Sequence, residues 1–93
     1  MVLKALPTDA DGVSRFGFTA GKRTGNAVVR NTIKRRLREA VLHTPVKSGW
    51  DMIFIARGKA RSADYHQLKT SVRRLLRRAD LLVVVSEIEN VRA

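Results

Sequence analysis

The chain has 93 residues and no cysteine, and its 19 basic against 8 acidic residues give a formal net charge of +11. This length accommodates one small domain and not two, and without cysteine neither disulfides nor thiolate metal sites can form. The charge asymmetry favours a polyanionic partner, with nucleic acid as the first candidate and an anionic membrane surface as the second.

Two short strands are predicted in the first part of the chain. Residues 2–6 form an apolar run that Pro7 ends, and residues 8–12 form a loop rich in turn formers. The second strand is predicted at 13–19, with Phe16 and Phe18 on one face of it. The two runs most simply form an antiparallel hairpin.

Residues 25–40, GNAVVRNTIKRRLREA, are predicted to form an amphipathic helix. At 100° per residue, one arc of this helix is apolar: Val29, Ile33, Leu37, Ala40 and Val41. An adjoining arc, here called the basic arc, is polar and mostly cationic: Arg30, Asn31, Lys34, Arg35 and Arg38. Arg36 stands apart, at the far edge of the apolar stripe.

Like charges at i,i+4 on a helix cost a few tenths of a kcal/mol each, and no acidic residue lies between Asp11 and Glu39 to offset them. The basic arc therefore predicts an anionic partner.

The loop that leads into this helix, residues 21–26, is polar and basic, with Lys22 and Arg23 beside flexible glycines. Thr24 or Asn26 is predicted to cap the helix by accepting a backbone N–H bond. The helix is expected to end by Thr44, because Pro45 disfavours helical geometry in the residue before it.

The rest of the chain predicts a third strand and a second helix. Residues 52–56 are apolar at consecutive positions, which favours a strand covered on both faces in a parallel or mixed sheet. Residues 58–63 are predicted to form a basic loop, with Ser62 as the next helix cap. A helix follows over 65–79, with an apolar face of Tyr65, Leu68, Val72, Leu75, Leu76 and Ala79. Its other face is basic: Lys69, Arg73, Arg74, Arg77 and Arg78.

The predicted order β-β-α-β-α indicates an α+β fold, a two-layer sandwich in which two basic amphipathic helices pack on one small mixed sheet. Residues 81–85 suit either the end of the second helix or an added edge strand. We therefore expect one domain over residues 1–86, with nucleic acid as the first candidate for its partner, and a tail over 87–93.

No catalytic residue and no metal site are predicted from the protein's own side chains. The carboxylates are scattered along the chain, and His43 and His66 have neither a carboxylate pair nor metal-ligand spacing. The serines lack the context of a nucleophile elbow, and Gly21 and Gly25 lack the phosphate-cradling pattern of nucleotide-binding loops.

Phe16 and Phe18 admit two interpretations. Aromatic side chains on a sheet stack on bases in some RNA-binding proteins. A pair of this kind is more often part of the core, and that interpretation is favoured here.

The central stretch resembles a known signature. The run FGFT at residues 16–19, then Lys22, then residues 25–40 is similar to the signature of the bacterial ribonuclease P protein component. Residues 51–57, DMIFIAR, and a helix opening near Tyr65 are similar too. The resemblance covers roughly residues 2–82. It departs at Thr32, where the family's helix usually has a second arginine after Arg30-Asn31, and the family normally has a helix and a strand before the equivalent of Val2, so a short form is implied.

The resemblance implies function as well as fold. In that family an RNA subunit carries out the Mg²⁺-dependent hydrolysis that matures tRNA 5′ ends, and the protein assists RNA folding, leader binding and metal affinity. The implied partners are the catalytic RNA and precursor tRNA, with no further protein and no membrane. The implied contacts with the catalytic RNA come from the loop and the helix: Lys22, Arg23, Asn26, Arg30, Asn31, Lys34, Arg35 and Arg38. Phe16 and Phe18 are possible contacts for the leader of the precursor.

Two further expectations come with the resemblance. It implies a left-handed crossover between the second and third strands, whereas general experience of βαβ units favours a right-handed one. A cytoplasmic location is expected, because the chain has no cysteine, no apolar run near the ~20 residues of a membrane span and no signal-peptide layout.

Three alternatives remain open on the sequence. A structural RNA-binding protein of ribosomal type would bind one folded RNA without affecting cleavage. A DNA-binding module is disfavoured, because the helix offers little base-reading variety beyond Asn31. A membrane-surface helix is disfavoured because bulky aromatic anchors are missing.

Overall fold

A computed structural model of the chain describes residues 1–8 and 12–83. It contains three strands, β1 (Val2–Pro7), β2 (Arg15–Ala20) and β3 (Trp50–Ala56), and two helices, α1 (Ala27–Leu42) and α2 (Tyr65–Arg78). Short 3₁₀ turns span Lys22–Thr24 and Gly58–Ser62. The predicted α+β order β-β-α-β-α is confirmed. The predicted tail, 87–93, and the end of the predicted domain lie outside the described residues.

The three strands form one mixed sheet in the order β1-β3-β2. β3 pairs antiparallel with β1 and parallel with β2. The predicted hairpin of β1 and β2 is therefore wrong, because β3 inserts between them. A central strand bonds on both edges, and β3 contributes the buried apolar residues Met52, Phe54 and Ala56 to the core. The handedness of the β2–α1–β3 crossover stays a prediction.

One face of the sheet forms the core with the two helices. Met52, Phe54 and Ala56 of β3 are almost completely buried, and so are Leu37 of α1 and Leu76 of α2. These residues belong to a single apolar cluster. The predicted apolar faces of both helices are confirmed at their centres, whereas Ala79 lies beyond the end of α2 and is exposed.

The other face of the sheet is open among the described residues. Ile53 of β3 is 45% exposed, and Leu6 of β1 is 71% exposed. The prediction that the third strand is covered on both faces is therefore wrong. β3 is the central strand of the sheet, and its side chains still alternate between the two faces. Its continuous apolar run therefore reflects this central position and does not require that both faces be covered.

Both helices begin at a side-chain cap. Asn26, one of the two predicted candidates, caps α1 by accepting a 3.0 Å hydrogen bond from the Val29 N–H. Asp64 caps α2 by accepting from the Gln67 N–H at 2.8 Å, and the Gln67 side chain accepts in return from the Asp64 N–H at 2.9 Å. The prediction of Ser62 as this cap is wrong, because Ser62 belongs to the preceding 3₁₀ turn.

The chain turns sharply after α2. Asp80 adopts φ +59°, and the Leu81 carbonyl then accepts from the Lys47 N–H at 2.8 Å. Leu82 forms an isolated antiparallel bridge with Val46, and Leu81 and Leu82 are buried in the core. Of the two interpretations of 81–85, the end of α2 is wrong, and an edge pairing occurs only as this bridge. Residues 84 and 85 lie outside the described residues.

An exposed ion pair aligns the starts of β2 and β3. Arg15 and Asp51 are partners in the parallel register, and the guanidinium donates two hydrogen bonds to the carboxylate at 2.9 and 2.7 Å. These hydrogen bonds hold the pKa of the Asp51 carboxyl below its usual range, and its attraction to the guanidinium acts in the same direction.

Leu37 and Leu42 test the packing of α1, because both lie on this helix but only Leu37 is in the core. Leu37 is fully buried, and Leu42 is 79% exposed. Leu37→Ala should lower the free energy of unfolding by about 2–5 kcal/mol, because apolar packing is removed and a cavity remains. Leu42→Ala should change it by less than about 0.5 kcal/mol. Urea denaturation followed by circular dichroism measures both, and equal destabilisation would contradict this packing.

Asp51 should make stability depend on acid. A carboxyl whose pKa is lowered in the folded state contributes stability above its ordinary pKa of about 4 and loses it as the pH falls through the folded value. The wild type should therefore be more stable than Asp51→Asn near neutral pH, and this difference should shrink as the pH falls below about 4. The difference should be small at every pH, because the pair is exposed and screened by water. Thermal unfolding across that range measures the difference, and a difference that does not vary with pH would refute this role.

Candidate nucleic-acid interface

The basic arc of α1 lies beside the edge strand β2. The Nε of Arg30 donates a 3.0 Å hydrogen bond to the carbonyl of Ala20, the last residue of β2. The guanidinium carbon of Arg38 lies 5.8 Å from the ring centre of Phe18. These two interactions anchor the arc against β2 at two points. The side chains of Arg30 and Arg38 therefore lose less conformational entropy when a ligand binds.

The other members of the basic arc have no hydrogen bond or ion pair from their side chains among the described residues. Asn31 and Arg35 are exposed, and Lys34 is half-buried. Thr32 donates its hydroxyl to the Val28 carbonyl one turn earlier in α1. Arg36 lies apart from the arc, as predicted, since it donates to the Ala63 carbonyl next to α2 at 3.3 Å.

The loop into α1 is shaped by two residues. Thr24 is fully buried and donates its hydroxyl to the Gly21 carbonyl, which leaves the helix cap to Asn26. Gly25 adopts φ +141°, and a Cβ there would lie 2.9 Å from the side chain of Val29. Glycine is therefore required to bring the loop into α1 at this angle.

Lys22 and Arg23 are exposed on the 3₁₀ turn of this loop. Both side chains are therefore accessible to a ligand. Asn26 is different, because its side-chain oxygen is already used by the cap and only its NH₂ group remains for a partner.

Two basic residues that the sequence interpretation missed lie next to this turn. The ends of the parallel strands β2 and β3 lie at the same edge of the sheet, where the Gly21 N–H donates to the Ala56 carbonyl at 3.3 Å. A hollow of about 890 Å³ opens there. Its basic lining comes from both loops: Lys22, Arg23, Arg57 and Lys59. Loops that follow neighbouring parallel strands lie together at one edge of the sheet. A prediction that β2 and β3 are neighbours would therefore have placed Arg57 and Lys59 beside Lys22 and Arg23.

The charge of this surface is not neutralised within the described residues. Two ion pairs occur there, Arg15–Asp51 and Lys47–Asp80, and neither involves a basic side chain of α1, α2 or the two 3₁₀ turns. The carboxylate of Asp64 is occupied as a helix cap. The two basic turns contact each other and α1, so together with the basic arc they form a cationic region without a carboxylate partner among the described residues.

Phe16 and Phe18 lie on the helix-covered face of the sheet and not on its open face. Phe18 is half-buried and stacks on Phe54, with ring centres 5.9 Å apart and planes 12° apart. This position agrees with the core interpretation of Phe18. Phe16 is 37% exposed at the outer end of the same strand. Contact of either ring with a leader strand stays a prediction.

A sequence model of the ribonuclease P protein family matches residues 1–80. The chain belongs to this family. The ribonuclease P protein component of Dehalococcoides mccartyi is 42% identical over 86 residues, covering 92% of this chain and 71% of that one. That of Roseiflexus castenholzii is 47% identical over 85 residues, covering 88% and 69%.

The fold agrees with solved members of the family. The ribonuclease P protein of Staphylococcus aureus superposes with a TM-score of 0.75 at 30% identity, over 87% of this chain and 75% of that one. The mixed sheet packed by two helices is therefore the fold of a ribonuclease P protein.

The described part of this ribonuclease P protein contains neither a metal-ligand cluster nor a membrane-spanning helix. No three side chains of the types that ligate metals come together within it. No helix found there has the length and apolar character needed to cross a membrane.

The two basic helices of this ribonuclease P protein should contribute unequally to RNA binding. Lys34→Ala with Arg35→Ala removes two cations that have no described partner and lie in the basic arc between Arg30 and Arg38, the two members that β2 anchors. We expect affinity to fall by about 2–3 kcal/mol, taking ~1–1.5 kcal/mol per charge-assisted hydrogen bond. Arg74→Ala with Arg77→Ala removes two charges from α2, whose basic side chains have no anchored neighbour on the sheet among the described residues, and should cost less than about 1 kcal/mol.

Filter binding of the RNA subunit across a salt series measures both double variants, after circular dichroism has shown that each is folded. The α1 variant should also show a shallower dependence of log K on log salt, by roughly 0.7–0.9 for each phosphate that it no longer binds. Equal reductions of affinity would mean that charge alone, and not the position of the arc, determines binding.

Proposed function

We propose that this ribonuclease P protein binds a catalytic RNA and assists it in removing the 5′ leader from precursor tRNA, in the cytoplasm. The observation that supports this most directly is the match to the family over residues 1–80, together with a cationic surface that has no carboxylate partner among the described residues. The basic arc would bind phosphates of the catalytic RNA.

The side chains of this surface are suited to binding phosphates and not to moving protons. Guanidinium and ammonium groups donate hydrogen bonds and supply positive charge, and the fixed fork of arginine matches two phosphate oxygens at once. Arginine does not give up its proton at physiological pH. The protein would therefore act by positioning RNA and by neutralising charge.

In this proposal the reaction depends on Mg²⁺, and the RNA subunit would hold the ion. Magnesium prefers oxygen ligands in octahedral geometry and is commonly held by carboxylates together with phosphates. The described residues do not fit such a role, since no cluster of metal-ligating side chains occurs among them. Phosphate oxygens of the RNA would supply the ligands instead.

Charge neutralisation would matter most where cations are scarce. A catalytic RNA and its tRNA substrate are both polyanions and repel each other, and this repulsion is screened by salt and by Mg²⁺. A protein of net charge +11 between them would offset that repulsion. Its assistance should therefore be large at low Mg²⁺ and small at high Mg²⁺.

The test is precursor-tRNA cleavage by the RNA subunit with and without the protein, over a range of Mg²⁺ concentrations. We expect strong stimulation at low Mg²⁺, little at high Mg²⁺, and no cleavage by the protein alone. The Lys34→Ala, Arg35→Ala variant should need more protein for the same stimulation, and the Arg74→Ala, Arg77→Ala variant should resemble the wild type.

Two results would contradict the proposal. Binding to the RNA without any change in cleavage would indicate a structural RNA-binding protein of ribosomal type. Cleavage by the protein alone, surviving nuclease treatment of the preparation, would show that protein side chains perform the hydrolysis.

A further inference from the structure

A groove lies between β2 and the C-terminal half of α1, on the helix-covered side of the sheet. Its volume is about 490 Å³, within the ~300–1,000 Å³ of sites that bind small molecules. The side chains that matter here are Val13, Phe16, Phe18, Arg38, Val41 and Leu42. Val13 is 82% exposed, Leu42 79% and Phe16 37%. Apolar side chains gathered at an exposed groove in a highly charged protein indicate a binding site.

Arg38 connects this groove to the basic arc. It belongs to the arc by its position on α1, and it lines the groove with its guanidinium 5.8 Å from the ring centre of Phe18. Phe18 is supported from the core by its stacking on Phe54. The groove thus has one wall fixed to the core, an exposed aromatic ring at Phe16, and a cation at its rim that continues the phosphate-binding surface.

We propose that this groove takes up an unpaired base of the RNA partner, which stacks on Phe16 while the basic arc binds the neighbouring phosphates. The site rests on the proposed function, since its ligand is part of the RNA that the arc binds. Single-stranded nucleic acids are held in this way, with aromatic faces for the bases and arginine or lysine for the backbone. The groove lies on the opposite side of the sheet from the open face of Ile53.

Charge favours a base over a second copy of this chain as the occupant of the groove. A second copy of this chain would bring a net charge of +11 against the arginines at the rim, which like-charge repulsion opposes. The residues that follow Val83 are the other rival, because the Val83 N–H donates to the Pro45 carbonyl near the groove at 3.0 Å. A nucleotide complements both features of the site, because its base can stack on the Phe16 ring and its phosphate can bind the cations of the basic arc.

The test uses the full chain with Phe16→Trp, in a background of Trp50→Phe that leaves the introduced indole as the chain's one tryptophan. The probes are a short single-stranded RNA and an oligonucleotide of the same length and charge without bases. Stacking on a base should quench the indole emission with the first probe, and the second should bind without quenching.

A conservative variant tests the affinity. Phe16→Leu keeps the apolar bulk and the fold but removes the ring, so it should weaken binding of the RNA probe by about 5-fold or more, given ~1–3 kcal/mol per stacked base, and leave the abasic probe unaffected. Val28→Ala, which removes a 73% exposed apolar side chain from α1 outside the groove, should bind both probes like the wild type.

Other results would overturn the site. Equal quenching by both probes would mean that only phosphates bind there. Emission that changes with protein concentration without RNA would assign the groove to a second copy, and emission that is blue-shifted at every concentration and indifferent to RNA would assign it to the chain's own residues. If these tests fail but the protein still stimulates precursor-tRNA cleavage, the base site is removed and the proposed function stays intact. If the RNA probe quenches the indole but the protein does not stimulate cleavage, the proposed function is contradicted and a base-binding groove remains.

Discussion

β3 is the strand on which the other elements depend, because it hydrogen-bonds to β1 on one edge and to β2 on the other. Its residues Met52, Phe54 and Ala56 are the sheet's most buried contribution to the core. The parallel pairing with β2 requires the chain to cross over between the two strands, and α1 is that crossover. The position of the basic arc beside β2 therefore follows from the pairing of β3.

The same crossover explains how a helix with so many like charges remains folded. Repulsion between neighbouring arginines and lysines costs a few tenths of a kcal/mol per pair, whereas burial of a single leucine such as Leu37 contributes about 1.5–3 kcal/mol. Four buried residues hold α1 in the core: Ile33, Leu37, Ala40 and Val41. Packing thus outweighs the repulsion, and the charge stays available for a ligand.

Arg38 and Phe18 lie where the core becomes the surface. The Phe18 ring packs inward on Phe54, and the guanidinium of Arg38 lies over the same ring. Arg30 is held in a similar way by the Ala20 carbonyl. A cation placed by such interactions loses less freedom on binding than one on a fully mobile side chain, which distinguishes the arc of α1 from the basic face of α2.

The sequence by itself determined what repeats along the chain or acts within a few residues: the two helices, the basic arc, a cap at Thr24 or Asn26, and the family signature. These depend on a period of 3.6 residues and on local hydrogen bonds. Tertiary structure decided that β3 separates β1 from β2, that Arg57 and Lys59 join Lys22 at the end of the sheet, and that the groove at Phe16 exists. Strand pairing joins residues that are distant in the chain, and the periodicity of one strand does not specify which partner it takes.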